Sequence, residues 1–505
     1  MRVLVNPEPE IAMAHGSITP RVKRTTTSSS SRRFSPLSCN TLVIVLLVAT
    51  ILLLLHRNSP SPAASSAPAS FSGDLRHAEF SWNSLPLSLR RPPPVSLKIG
   101  VFSRKWPASA VPGGMERHAF ELHSALASRG HRVHVFTSPP TSGVPSSLYS
   151  AGASEYPKVH FLEGTPGQWR CGEAFVMFEE ENKREPFDVV HSESVSLHHR
   201  FAKQVPNLIV SWHGIALEAL QSGIYQDLIR APDEPINPSF NHSLGASIFK
   251  VLDEIRFFRS YAQHVATSDS TGEMLTDVYQ IPKERVHIIL NGVDEEKFSP
   301  DAKLAKSFRQ EIGVPDDAAV VLGVAGRLVR DKGHPLLYEA FAELITSNPK
   351  VYLVIAGTGP WQQRYIDLGP NVIALGALLP SKLKAFYNAI DVFLNPTLRP
   401  QGLDQTQMEA MLCQTPVVVT RLPSIKKSIV VDDEFGFMFA PNVAALTETL
   451  QKVVAEGSRR LAERGRKCRE YAKVKLTARK MAMAYERLFL CVKNESYCKY
   501  PLDFD

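Results

Sequence analysis

Short apolar runs that recur between stretches of helical periodicity constrain this chain more than any other feature. Leu97–Phe102, Val133–Thr137, Phe187–His191, Asn207–Gly214, His264–Ser268 and Val286–Asp294 lie in the first half. Val320–Ala325, Val351–Ala356, Val372–Gly376, Val392–Pro396 and Pro416–Thr420 follow in the second. Each is too short for a helix, and strands alternating with helices predict parallel, doubly wound α/β sheets. The run Val320–Ala325 turns at Gly326 and is followed by two fixed cations, Arg327 and Lys332. An open α/β sheet binds ligands at the carboxyl ends of its strands. A planar guanidinium fork and a point charge held there suit a diphosphate, with a solvated basic loop as the plainer reading.

At 505 residues the chain is too long for one core, so two domains and a tail are expected. A net charge of +7 without a dense basic face interleaved with aromatics argues against nucleic acid as a partner. The six cysteines show no ligand spacing, which argues against structural zinc. Cys491 and Cys498 are near enough in sequence to bridge, a pairing that the spacing leaves open.

Residues 1–40 are polar and basic, and Thr41–Leu55 is fifteen residues without a charge or breaker. Cations ahead of this run outnumber those behind it, which predicts a cytosolic tail (1–40) and a transmembrane signal anchor (41–56). Residues 57–95, rich in Ser, Pro and Ala, are expected to be a flexible stem. This arrangement predicts a single-pass type II protein of the Golgi membrane, with the endoplasmic reticulum or a plastid as alternatives.

A first domain is expected over residues 96–290, a second over 291–490, and a tail over 491–505. In the first, Gly113 and Gly114 form a turn before a helix, where a sugar or phosphate can approach the backbone. Histidines end two of its apolar runs, His191 and His213. In the second, Gln401-Gly402-Leu403-Asp404 is a glycine turn that opens a helix carrying Glu409. Met408, Met411 and Leu412 mark the buried face of that helix, so its periodicity alone makes Glu409 solvent-facing.

These motifs, in this order, resemble the family 4 glycosyltransferases of the GT-B fold. They are Pro112-Gly113-Gly114, His213-Gly214, Asn291-Gly292-Val293-Asp294, Gly326-Arg327-Leu328 with Lys332-Gly333, and the block Asp391–Thr420. The resemblance implies two Rossmann-like domains facing across a cleft. It implies a retaining transfer from a nucleotide diphosphate sugar to a glycan, lipid or protein acceptor. By that resemblance Arg327 and Lys332 neutralise the departing diphosphate, and His213 faces the transferred sugar. Gly113, Gly114, Gln401, Gly402, Leu403 and Asp404 contact the donor, and Glu409 binds its ribose. The helix opening near Asp404 points N–H groups at the same phosphates. No cofactor or metal is implied, and the one Asp-x-Asp triplet, Asp503-Phe504-Asp505, is terminal. The chain departs from the family at Gln401, where a glutamate is usual, and at Asp404, where a small residue is usual. Those departures motivate an alternative, a catalytically silent sugar-nucleotide-binding or scaffold protein on the same fold.

Overall fold

The computed structural model describes residues 71–87, 95–107, 113–140, 156–230, 240–258, 262–400 and 403–503. All of them lie in one compact unit, residues 63–505. The expected tail (1–40) and anchor (41–56), together with Pro112, Gln401 and Gly402, lie outside the described residues. No helix among the described residues is long and apolar enough to cross a membrane.

Two parallel sheets carry the fold. The first has β1 (Lys98–Phe102), β2 (Arg132–Thr137), β3 (Lys158–Phe161), β4 (Val189–Glu193), β5 (Leu208–Trp212), β6 (Gln263–Ala266) and β7 (Val286–Ile288). Its order is β3-β2-β1-β4-β5-β6-β7. The second has β8 (Val320–Ala325), β9 (Val351–Ala356), β10 (Val372–Gly376), β11 (Val392–Asn395), β12 (Val417–Thr420) and β13 (Gly436–Phe439), ordered β10-β9-β8-β11-β12-β13. Both orders reverse direction after a third strand, as in nucleotide-binding doubly wound sheets, and that switch point opens a crevice at the strands' carboxyl ends. Strands buried on both faces explain why the runs read as continuous rather than alternating apolar sequence.

Helix α1 (Gly114–Ser128) follows β1, and Gly113 caps it, its N–H donating to Glu116 Oε2 at 2.9 Å. Helix α2 (Gln405–Leu412) precedes β12, with Asp404 as its N-cap. Helix α3 (Ala478–Lys493), the last α-helix of the described residues, returns to the first lobe. There Met481, Tyr485, Leu488 and Phe489 are buried in one core with Leu97, Ile99, Leu122 and Leu126. The expected second domain, residues 291–490, therefore gives up its last helix: those apolar side chains find their complementary surface on the first lobe. Cys491 in its last turn and Cys498 just beyond it form a disulfide.

The stem expectation also needs correction. Residues 71–87 of it are docked, with Leu75, Trp82 and Leu85 at most 1% exposed. The Asn83 side chain donates to the Leu290 and Lys475 carbonyls at 3.1 and 3.0 Å and accepts from Leu290 N–H at 2.8 Å. Average composition hid this, because a few well-spaced apolar side chains and one amide suffice to order a short segment.

Truncating Leu488, which is fully buried, to alanine is expected to destabilise the first lobe by about 2–5 kcal/mol. Denaturant titration followed by circular dichroism measures it.

Candidate functional site

The predicted glycines and cations converge on one cavity between the lobes. It has a volume of about 310 Å³, and Gly113, Gly114 and Arg117 line it from the first lobe. Gly326, Arg327, Lys332, Tyr387, Asp404 and Thr406 line it from the second. Two glycines make the second wall. Gly333 has φ +77°, and a Cβ there would stand 1.8 Å from the Pro396 carbonyl oxygen. A Cβ on Gly357 would stand 1.8 Å from the Gly326 carbonyl oxygen. Only glycine allows the loops after β8, β9 and β11 to pack this tightly behind the cations.

The cations are already partly matched. Lys332 Nζ donates to Asp404 Oδ2 at 2.8 Å. Burial alone would raise the Asp404 carboxyl, but Lys332 holds it below its usual range. Asp404 Oδ1 also accepts from Thr406 N–H at 3.4 Å, so the start of α2 is capped by a carboxylate. Arg327 is 70% exposed and meets Asp331 only at 3.9 Å. Leu403 is buried, and its carbonyl accepts from Asn291 Nδ2 at 3.0 Å.

Glu409 lies on α2 with no solvent exposure, where helical periodicity alone predicts a solvent-facing residue. The Arg117 guanidinium pairs with it across the lobes, and Tyr387 Oη donates to its Oε2 at 2.7 Å. Burial works against the Arg117 charge, yet Glu409 first, then Tyr387, Glu121 and Asp404, push its pKa above the usual value. Glu121, one turn further along α1, has a buried Oε2 without a hydrogen-bond partner. Burial, then the nearby Glu409 charge, raises its pKa to about 8. The Arg117 and Lys297 charges act in the opposite direction but do not offset these two effects.

His213 is not among the residues lining this cavity. It follows β5, its side chain 13% exposed, and its Nε2 lies 2.6 Å from Glu193 Oε2. Glu193 ends β4 at the first sheet's switch point. His118, next to Arg117 on α1, sets its ring edge-on to His213 with centroids 4.4 Å apart. The same helix thus serves the cationic cavity and the histidine cluster.

Arg117, Glu121, Tyr387, Glu193, His118 and His123 were not singled out by sequence. Two signals were there to read. Arg117 and Glu121 lie four apart on one helical face, and His191 and Glu193, two apart on a strand, share one side of the sheet.

Two Rossmann-like lobes with their switch points turned to one cationic cavity define the GT-B class. Residues 112–297 match the family model described as Glycosyltransferase Family 4, and residues 319–456 match that described as Glycosyl transferases group 1. The chain is similar to the D-inositol 3-phosphate glycosyltransferase of Stackebrandtia nassauensis, 26% identical over 383 residues, which are 70% of this chain and 82% of that protein. Among solved structures, it resembles the sucrose-phosphate synthase of Thermosynechococcus elongatus with a TM-score of 0.63 and 18% identity, covering 78% of this chain and 98% of that one. It also resembles Anabaena Alr3699/HepE, solved in complex with UDP-glucose, with a TM-score of 0.57 and 17% identity over 78% and 99% of the two chains. The chain is a glycosyltransferase with the GT-B fold. The expected placement as a single-pass type II protein of the Golgi membrane is overturned by these relatives, the glycosyltransferases of Stackebrandtia nassauensis and the archaeon Methanocaldococcus jannaschii among them, which are bacterial and archaeal.

Glu121 gives the fold a pH dependence of definite sign. Its proton is held up to about pH 8 in the folded chain but leaves near the ordinary 4.5 on unfolding. Folding therefore takes up a proton between those values, and the Glu121 contribution to stability falls as pH rises through them. Glu121→Gln is expected to raise the melting temperature more at pH 8 than at pH 5, read by differential scanning calorimetry.

Proposed function

We propose that this enzyme moves a sugar, with retention of anomeric configuration, from a nucleotide diphosphate sugar to a hydroxyl of a glycan, lipid or protein acceptor. The observation that carries this reading is the interlobe cavity itself. Gly113 and Gly114 of one lobe face Arg327 and Lys332 of the other across a space of about 310 Å³, and the HepE neighbour was solved with UDP-glucose.

In this reading the diphosphate lies against Arg327 and Lys332. As the bond from the anomeric carbon to the diphosphate oxygen breaks, those cations stabilise the growing negative charge. The leaving phosphate oxygen takes the acceptor hydroxyl's proton while that hydroxyl oxygen bonds the same face of the anomeric carbon. No protein base is then needed. His213 contacts the transferred sugar. Glu409 binds the ribose, which requires the hydroxyls to share the carboxylate with Arg117 and Tyr387 or to displace Arg117.

A screen of nucleotide sugars with the purified chain tests the reading through release of free nucleoside diphosphate and labelled product. Arg327→Ala and Lys332→Ala are each expected to lower kcat/KM by about 10²–10³ while the chain stays folded by circular dichroism. Unchanged turnover in both variants would refute the assignment. Asp404 puts a carboxylate 2.8 Å from Lys332, where a diphosphate would compete with it. Asp404→Asn keeps a capping oxygen but removes the like charge, so it is expected to lower the donor Kd in calorimetric titration.

A further inference from the structure

His213 is one of four histidines set around a single buried carboxylate, Glu193. Glu193 is 1% exposed, and no lysine or arginine among the described residues pairs with it. Its Oε2 faces His213 Nε2 at 2.6 Å and His118 Nδ1 at 3.5 Å. Its Oε1 faces His123 Nε2 at 3.1 Å and His191 Nδ1 at 3.8 Å. Beyond these, His123 Nε2 lies 3.2 Å from His191 Nδ1, and His191 Nε2 lies 2.6 Å from Ser211 Oγ. Ser211 Oγ in turn meets Tyr485 Oη of α3 at 2.7 Å.

Elementary hydrogen-bond chemistry fixes the protons along this path. Burial alone would raise the Glu193 carboxyl, but the facing imidazoles, His118 first, hold it well below the usual range, so it is an anion that can only accept. A contact of 2.6 Å to His213 Nε2 then requires a proton on that nitrogen. The same holds for His123 Nε2. Its Nδ1 is buried without a partner, as suits a bare lone pair better than an orphaned N–H. His191 accepts at Nδ1 and donates from Nε2 to Ser211. His118, its pKa lowered to about 4 by burial, stays neutral and walls the His213 ring. The cluster could also hold a cation, since the ligand atoms of His118, Glu193 and His213 lie within 4.8 Å of one another. However, two atoms bound to one tetrahedral zinc stand about 3.3 Å apart, so the 2.6 Å contact is a shared proton rather than a metal-spanned pair.

We propose that Glu193 is a positioning residue for glycosyl transfer: it fixes His213 as the Nε2–H tautomer, so that Nδ1 is the nitrogen presented to the transferred sugar. Nδ1 has no protein partner among the described residues, and the side chain keeps 13% exposure. His123 and His118 hold the carboxylate against rotation, and the path through His191 and Ser211 ties it to the C-terminal helix. This inference rests on the reading that His213 faces the sugar, and it adds the residue through which that role is set.

The test has two parts. Long-range proton–nitrogen NMR of the full chain carrying ¹⁵N-labelled histidine, with His213 assigned by His213→Ala, is expected to show Nε2–H for His213. An Nδ1–H tautomer would overturn the proposal, as would one equivalent of zinc by elemental analysis. Glu193→Gln keeps the shape but can donate as well as accept, and is expected to lower kcat by about 10- to 100-fold with little change in donor KM. In the His213→Ala background the same substitution should cost less than about twofold, the non-additivity of residues that act through one another. Equal losses in both backgrounds would show a merely structural role. A wild-type chain that transfers no sugar would sink the functional reading instead, and the tautomer would still decide this one.

Discussion

A carboxylate without solvent exposure cannot stand alone, and the pairing of Glu409 with Arg117 is the constraint on which the rest of the cleft depends. The carboxylate belongs to a helix of the second lobe and the guanidinium to the first helix of the first. Closing the lobes therefore compensates two charges at once, and separating them would leave both stranded. Glu121, one turn along the same helix, has its pKa raised to about 8 by burial and then by the Glu409 charge, against the pull of Arg117. The Tyr387 hydroxyl completes the set at 2.7 Å. A nucleotide ribose entering here would join an existing polar contact rather than fill an empty one.

The two lobes repeat one plan and use it differently. Both sheets reverse order after three strands, so each presents loops at a switch point. On the second lobe those loops carry Arg327 and Lys332, pressed forward by glycines that let backbones touch. On the first lobe the same position carries Glu193 and its histidines, with no arginine or lysine among them. In the proposed reading one side meets the spread negative charge of a diphosphate, and the other holds a single imidazole in a fixed proton state. Helix α1 joins them, with Arg117 directed to one and His118 to the other.

Strand positions were legible because they follow from local sequence. Val320–Ala325, Val351–Ala356 and Val372–Gly376 are observed as read, since a short apolar run has few other places to go. The converging cavity was legible in part: glycines and cations could be located, their partners could not. Asp404 reads as an oddity in sequence and as the counter-ion of Lys332 in space. The segment 71–87 was misjudged because composition averages over residues, whereas docking depends on where Leu75, Trp82 and Leu85 fall. Nor could periodicity send helix α3 to one lobe or the other, because its apolar face suits any complementary core.

By itself, then, the sequence determined the alternation of strands and helices, the two-lobed class, and the loops that carry cations and glycines. These depend on near neighbours and on backbone sterics. Only the tertiary structure decided which charges are matched, buried or protonated. Arg117 and Glu409 are 292 residues apart, and Ser211 and Tyr485, whose hydroxyls meet at 2.7 Å, are 274 apart. Coulomb energy and desolvation depend on distance through space, which the order of residues does not contain.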